Sequence, residues 1–105
     1  MKDIIKYNRT KMSVFPSICI PRVSKNTTRE DIIKVFSNCL DVKVKQVDMA
    51  YSENQARVFV HFSEYNPNDI RTSNTREALL SGETLKIIYK APWYWRFSIS
   101  RFAQK

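Results

Sequence analysis

The chain has a single glycine, Gly82, in 105 residues. A glycine-rich phosphate loop is therefore excluded. There is one histidine, His61, and it has no Cys, His or carboxylate at metal-motif spacing, so no metal site is expected. Two cysteines, Cys19 and Cys39, are too few for a disulfide framework. Acidic residues are also scarce: 10 Asp and Glu face 18 Lys and Arg, a formal charge of +8. No paired-carboxylate site and no Ser/His/Asp arrangement can be read along the chain, and an enzyme is not expected. No run approaches the roughly 18 consecutive apolar residues of a membrane span. The first residues, MKDIIKYNRTKM, lack the apolar stretch of a signal peptide. These absences suggest an intracellular protein, cytoplasmic or nuclear, with reduced thiols, no cofactor, no membrane association and no small-molecule substrate.

What remains is enough for one folded domain. Hydrophobic residues make up 43% of the chain, well above a disordered composition. The charge suits a polyanionic partner, either nucleic acid or an acidic protein surface. Residues 1–12 read as a basic arm. SVFPSICIPRV has a strand-like middle at Ile18-Cys19-Ile20. NTTREDIIKVFSNCL is a helix, with Thr27 or Thr28 as N-cap and Glu30 and Asp31 at the positive end of its dipole. Its inward stripe is Ile32, Val35, Phe36 and Cys39. VKVKQVDMAY alternates as a strand does, with a change of parity near Lys45-Gln46. In QARVFVHF, Ala56, Val58, Val60 and Phe62 take one face, and Gln55, Arg57, Phe59 and His61 the other. A second helix is expected to be short or broken, as short as Thr75 to Ser81, with Asn66-Pro67 a candidate start and Gly82 its stop. TLKIIYK and WYWRFSI complete the strands.

The expected class is α+β: a ferredoxin-like β-α-β-β-α-β sandwich with an extra C-terminal strand. The domain should span residues 13–91, and residues 92–105 the aromatic extension. ICIPRV resembles the first-strand signature of RNA recognition motif (RRM) domains, and QARVFVHF resembles their third-strand octapeptide. TREDIIKVFSNC and GETLKIIYKAP are similar to the family's first helix and fourth strand. The end of the chain also loosely resembles small RRM-like proteins of giant DNA viruses. The resemblance implies binding of single-stranded RNA on the sheet. Its three stacking positions fall on Cys19, Arg57 and Phe59, of which only Phe59 is aromatic.

Phe59 is thus either a base platform or core covered by the C-terminal strand. Arg57 either meets RNA or pairs with Asp48. Arg22, Lys86 and Lys90 are expected to frame the same face with positive charge, and His61 to share it. In the last strand, Trp93, Trp95, Phe97 and Ile99 hold one parity. A tryptophan buries up to about 250 Å², so this face should pack against the domain itself or a partner chain. Tyr94 and Arg96, on the other parity, are the candidates for touching RNA. The competing expectation is a protein-interaction or assembly module that docks on a protein partner or pairs as a homodimer through Trp93, Trp95 and Phe97.

Overall fold

The computed structural model describes residues 14–100; the basic arm lies outside the described residues, as do positions 101–105. Two helices pack on a five-stranded antiparallel sheet. The elements run β1 (Ile18–Ser24), α1 (Arg29–Cys39), β2 (Val42–Tyr51), β3 (Gln55–Tyr65), α2 (Ile70–Leu80), β4 (Leu85–Lys90) and β5 (Trp93–Ile99). No helix among the described residues is long and apolar enough to cross a membrane.

Local chemistry explains the helix ends. Thr28 caps α1 in a reciprocal box: its Oγ1 accepts from the Asp31 amide at 3.1 Å, and Asp31 Oδ2 accepts from the Thr28 amide at 3.0 Å. Arg29 donates to the Val47 carbonyl at 2.9 Å and ties this end of α1 to β2. Helix α2 is longer than its sequence suggests. Asn66-Pro67 forms a turn, and Asp69 is the cap, accepting from the Thr72 amide at 3.0 Å. Thr72 is fully buried and its hydroxyl accepts from the Asp41 amide, which joins α2 to the α1–β2 connection. At the other end, Gly82 (φ 90°) lets the chain close a Schellman motif. Glu83 donates to the Ala78 carbonyl and Gly82 to that of Leu79, both at 3.0 Å.

The helix-covered face of the sheet is the core. Ile18, Ile20, Ala56, Val58, Val60 and Phe62 alternate inward from the two central strands and meet Ile32 and Phe36 of α1. Val35 and Cys39 are only partly buried at its margin, as is Leu85. An edge-on ring cluster fills one end, with Phe62 4.9 Å from Phe15 and 6.0 Å from Phe36. The parity change in β2 is real: its pairing with β3 shifts between Lys43 and Val44 and again between Val44 and Gln46.

The order across the sheet is β2-β3-β1-β5-β4. The C-terminal strand therefore neither extends an edge nor crosses the open face. It inserts beside β1, pairing Ile18 with Ile99 and Cys19 with Ser98. β4 is left outside it as an edge strand. The inward face of β5 explains the insertion. Phe97 packs 5.4 Å edge-on against Phe36, and Trp95 stacks on Tyr89 at 4.5 Å. Ile87 alone of β4 is fully turned into the core, so the aromatic strand has more apolar area to bury next to β1.

Candidate nucleic-acid interface

The face turned away from the helices carries the candidate residues, and no described element crosses it. Its central row runs Asp48, Phe59, Cys19, Ser98 from β2 through β3 and β1 to β5. Phe59 is half-buried between its neighbours. Arg57 follows two residues along β3 on the same side, opposite a bulge at Pro21-Arg22. Arg96 and Lys86 are paired across β5 and β4, next to the pair Tyr94 and Ile88.

The structure brings together residues that are far apart in sequence. Arg22, displaced by the bulge, lines a shallow depression with Pro21, Tyr94, Trp95 and Arg96. The Lys86 ammonium lies 4.8 Å from the centre of the Tyr94 ring, and the Arg96 guanidinium 6.0 Å from it. The Tyr94 phenol is held below its usual range, first by hydrogen bonding with Arg96 and then by the charges of Lys86 and Arg96. In an alkaline titration followed by phenolate absorbance, a component attributable to Tyr94 should appear below the ordinary tyrosine range. That early step should vanish in Tyr94→Phe and move up in Arg96→Gln. An unchanged titration in either variant would remove the cationic setting claimed for Tyr94.

Lys90 is not part of this cluster. The β4–β5 pairing shifts between Ile88 and Lys90, setting Lys90 opposite Trp93. It lines a depression with Asp31, Lys34 and Val35 of α1, on the helix side. The parity count along β4 placed it with Lys86, and a one-residue slip moves a side chain to the other face.

Arg57 does not pair with Asp48. That carboxylate is engaged elsewhere: Gln46 Nε2 donates to Oδ1 at 2.7 Å, and His61 Nε2 lies 3.1 Å from Oδ2. These contacts hold the Asp48 carboxyl below its ordinary range, the Gln46 hydrogen bond foremost. Arg57 instead adds its charge near Cys19. Burial raises the Cys19 thiol, and the Arg57 charge only partly offsets this. Both cysteines are free, Cys19 on the sheet and Cys39 under α1 as the parity reading expected.

His61 has a second contact that the sequence concealed. Its Nδ1 lies 2.8 Å from Ser17 Oγ. In the neutral ring, donation from Nε2 to an ionised Asp48 leaves Nδ1 to accept from the Ser17 hydroxyl. Ser17, His61 and Asp48 thus form the hydroxyl–imidazole–carboxylate chain that could not be read along the sequence. Acyl transfer also needs a cleft for the substrate and aligned donors for its oxyanion. The hydrogen bonds of these three side chains tie the segment before β1 to β3 and β2.

Of the aromatic candidates, Trp95 is 5% exposed and Phe97 3%, within the domain's own core, whereas Trp93 is 62% exposed. The parity of the last strand is correct for Trp95 and Phe97. Trp93 begins the strand directly after the Ala91-Pro92 turn, and its ring is left exposed. No group of three or more His, Cys, Asp or Glu that could hold a metal occurs among the described residues. No family model, curated protein or solved structure matches the chain.

Proposed function

We propose that the protein binds single-stranded RNA, without catalysis, on the open face of an RRM-like sheet. The observation that carries this reading is the composition of that face. One aromatic ring, Phe59, sits at its centre with Arg57 beside it, and Arg22, Arg96 and Lys86 gather around Tyr94 toward β4. Asp48, the acidic residue of the central row, is already hydrogen-bonded to Gln46 and His61. A base can stack on Phe59, a contact worth about 1–3 kcal/mol. The gathered cations repel one another, and phosphates would relieve that repulsion while releasing counterions. The element order β-α-β-β-α-β and the antiparallel sheet are compatible with a ferredoxin-like fold.

Binding to mixed-sequence RNA over a salt series tests this. Phe59→Ala should weaken binding by about 1–3 kcal/mol at every salt concentration, because stacking neutralises no phosphate. Lys86→Ala should flatten the plot of log affinity against log salt by about 0.7, one phosphate's share on a single strand. Absence of binding at low salt would overturn the proposal.

The assembly reading retains only Trp93 of its three aromatic contacts on the surface, since Trp95 and Phe97 are core. Size-exclusion chromatography of the wild type and Trp93→Ser should give the same monomeric elution. A larger wild-type species dissolved by Trp93→Ser would favour assembly instead.

A further inference from the structure

β1 and β5 pair only at Ile18–Ile99 and Cys19–Ser98. Beyond Cys19, Pro21 has no N–H with which to continue the ladder, and the register of β1 shifts between Ile20 and Val23. Here lies the depression lined by Pro21, Arg22, Tyr94, Trp95 and Arg96. We infer that this depression receives a terminal phosphate of the bound RNA, a phosphomonoester, rather than an internal phosphodiester. The inference rests on the proposed RNA binding and deepens it, because it states which part of the RNA comes to this end of the face.

The charge count points to a monoester. Arg22 and Arg96 line the depression. Lys86 is paired with Arg96 across β4 and β5, and its ammonium lies 4.8 Å from the centre of the Tyr94 ring. The lining holds no carboxylate. The ion pairs found among the described residues, Lys43–Glu64 and His61–Asp48, leave all three cations out. Their mutual repulsion is therefore not offset by the protein's own acids. An internal phosphodiester brings one negative charge, whereas a terminal monoester brings about two near pH 7 and a third free oxygen to accept hydrogen bonds. Tyr94 holds the arrangement: its phenol oxygen accepts from Arg96. A guanidinium has five N–H donors in a fixed fork, so Arg96 keeps others for a phosphate oxygen.

The layout of the face places an end of the chain here. From Phe59 the cations lead toward β4: Arg57, Arg22, then Arg96 and Lys86. On the other side of Phe59 stands the Asp48 carboxylate. Past the cluster, Tyr94 is paired with Ile88, which is exposed and apolar, and β4 is the edge of the sheet. Lys90, the next cation of β4, is turned to the helix side. A backbone that continued beyond the cluster would cross an apolar side chain and leave the sheet with no further cation of β4 to meet it. Phe59 and Tyr94 are roughly 16 Å apart, two strand spacings and four residues along β5. A short oligonucleotide can join them, and a mononucleotide cannot.

The test measures the affinity of the full chain for one mixed-sequence RNA hexanucleotide in three forms. One has hydroxyls at both ends, one a 5′-phosphate only, one a 3′-phosphate only. A strand held on this face should lie in one polarity. One of the two phosphates should therefore tighten binding roughly tenfold or more, the return from a hydrogen bond to a charged group. The other adds the same charge at the far end and should change affinity by less than about threefold. Arg22→Gln, an exposed position, should bring the larger gain below about threefold. Phe59→Ala should weaken all three forms and leave their ratio unchanged. The inference is overturned, with RNA binding intact, if the hydroxyl-ended RNA binds and neither phosphate helps, or both help equally, which would report charge alone. If no form binds, RNA binding itself fails and the inference with it. Inorganic phosphate is the second probe, followed by NMR at Arg22, Tyr94 and Arg96. If it saturates these residues as tightly as the end-phosphorylated RNA does, the depression is a site for free phosphate and the assignment to an RNA end is overturned.

Discussion

Phe62→Ala is expected to destabilise the domain by about 3–5 kcal/mol, measured by urea unfolding. The ring lies on the inward face of β3 and touches two others edge-on, Phe15 from the segment before β1 and Phe36 from α1. Removing it empties space that none of these neighbours can fill without leaving its own contacts. Phe15 also approaches Tyr65, at 5.6 Å, so its position is fixed from two directions. A loss of this size is a large share of the ordinary stability of a small domain, about 5–15 kcal/mol. The variant should therefore unfold at a markedly lower urea concentration than the wild type. A loss below about 1 kcal/mol, the range of a surface change, would show that the inward parity of β3 is misassigned.

The two tryptophans should behave oppositely. Trp95→Ala removes a buried ring that stacks on Tyr89 at an interplanar angle of 17° and lies opposite Ile87 in the β4–β5 ladder. Its expected cost is again about 3–5 kcal/mol. Trp93→Ser, two residues away, should change stability by no more than about 0.5 kcal/mol, because that ring is mostly in water. The comparison tests the insertion of β5 directly. Equal costs would mean that both rings are buried and that β5 sits elsewhere. Two small costs would mean that neither ring belongs to the core.

The contrast also shows which parts of the fold were legible in the sequence. Alternation is a local signal, and it placed Val58, Val60 and Phe62 inward and Phe59 outward, because β3 is central and has one buried face. The capping chemistry at Thr28 is likewise local. The order of strands is not local. Nothing in TLKIIYK or WYWRFSI says which of them pairs with β1; that follows from how much apolar area each can offer the helices once the sheet exists. The full length of helix α2 is not legible in the sequence for a related reason. IRTSNTREALL has little apolar periodicity, and the helix is held by the Asp69 cap, the buried Thr72 and the Gly82 stop. In the candidate site, Phe59, Tyr94, Arg96 and Lys86 were legible from parity. The bulges that move Arg22 toward Tyr94 and carry Lys90 away are properties of pairing. The Ser17–His61–Asp48 chain joins residues from three segments, which no spacing rule connects.

The insertion of β5 between β1 and β4 has a kinetic consequence. β1 is made early and β5 late, yet β1 needs β5 as its second neighbour, and β4 reaches the rest of the sheet only through β5. A nascent chain can form α1 and the β2–β3 hairpin and dock β1 against β3 while still on the ribosome. It cannot close the sheet until Trp93–Ile99 has emerged. Such long-range pairing raises the contact order and slows the final step of folding. Until that step, Ile18 and Ile20 lie beside an open strand edge, the form in which a partly made protein is most prone to aggregate or to need a chaperone.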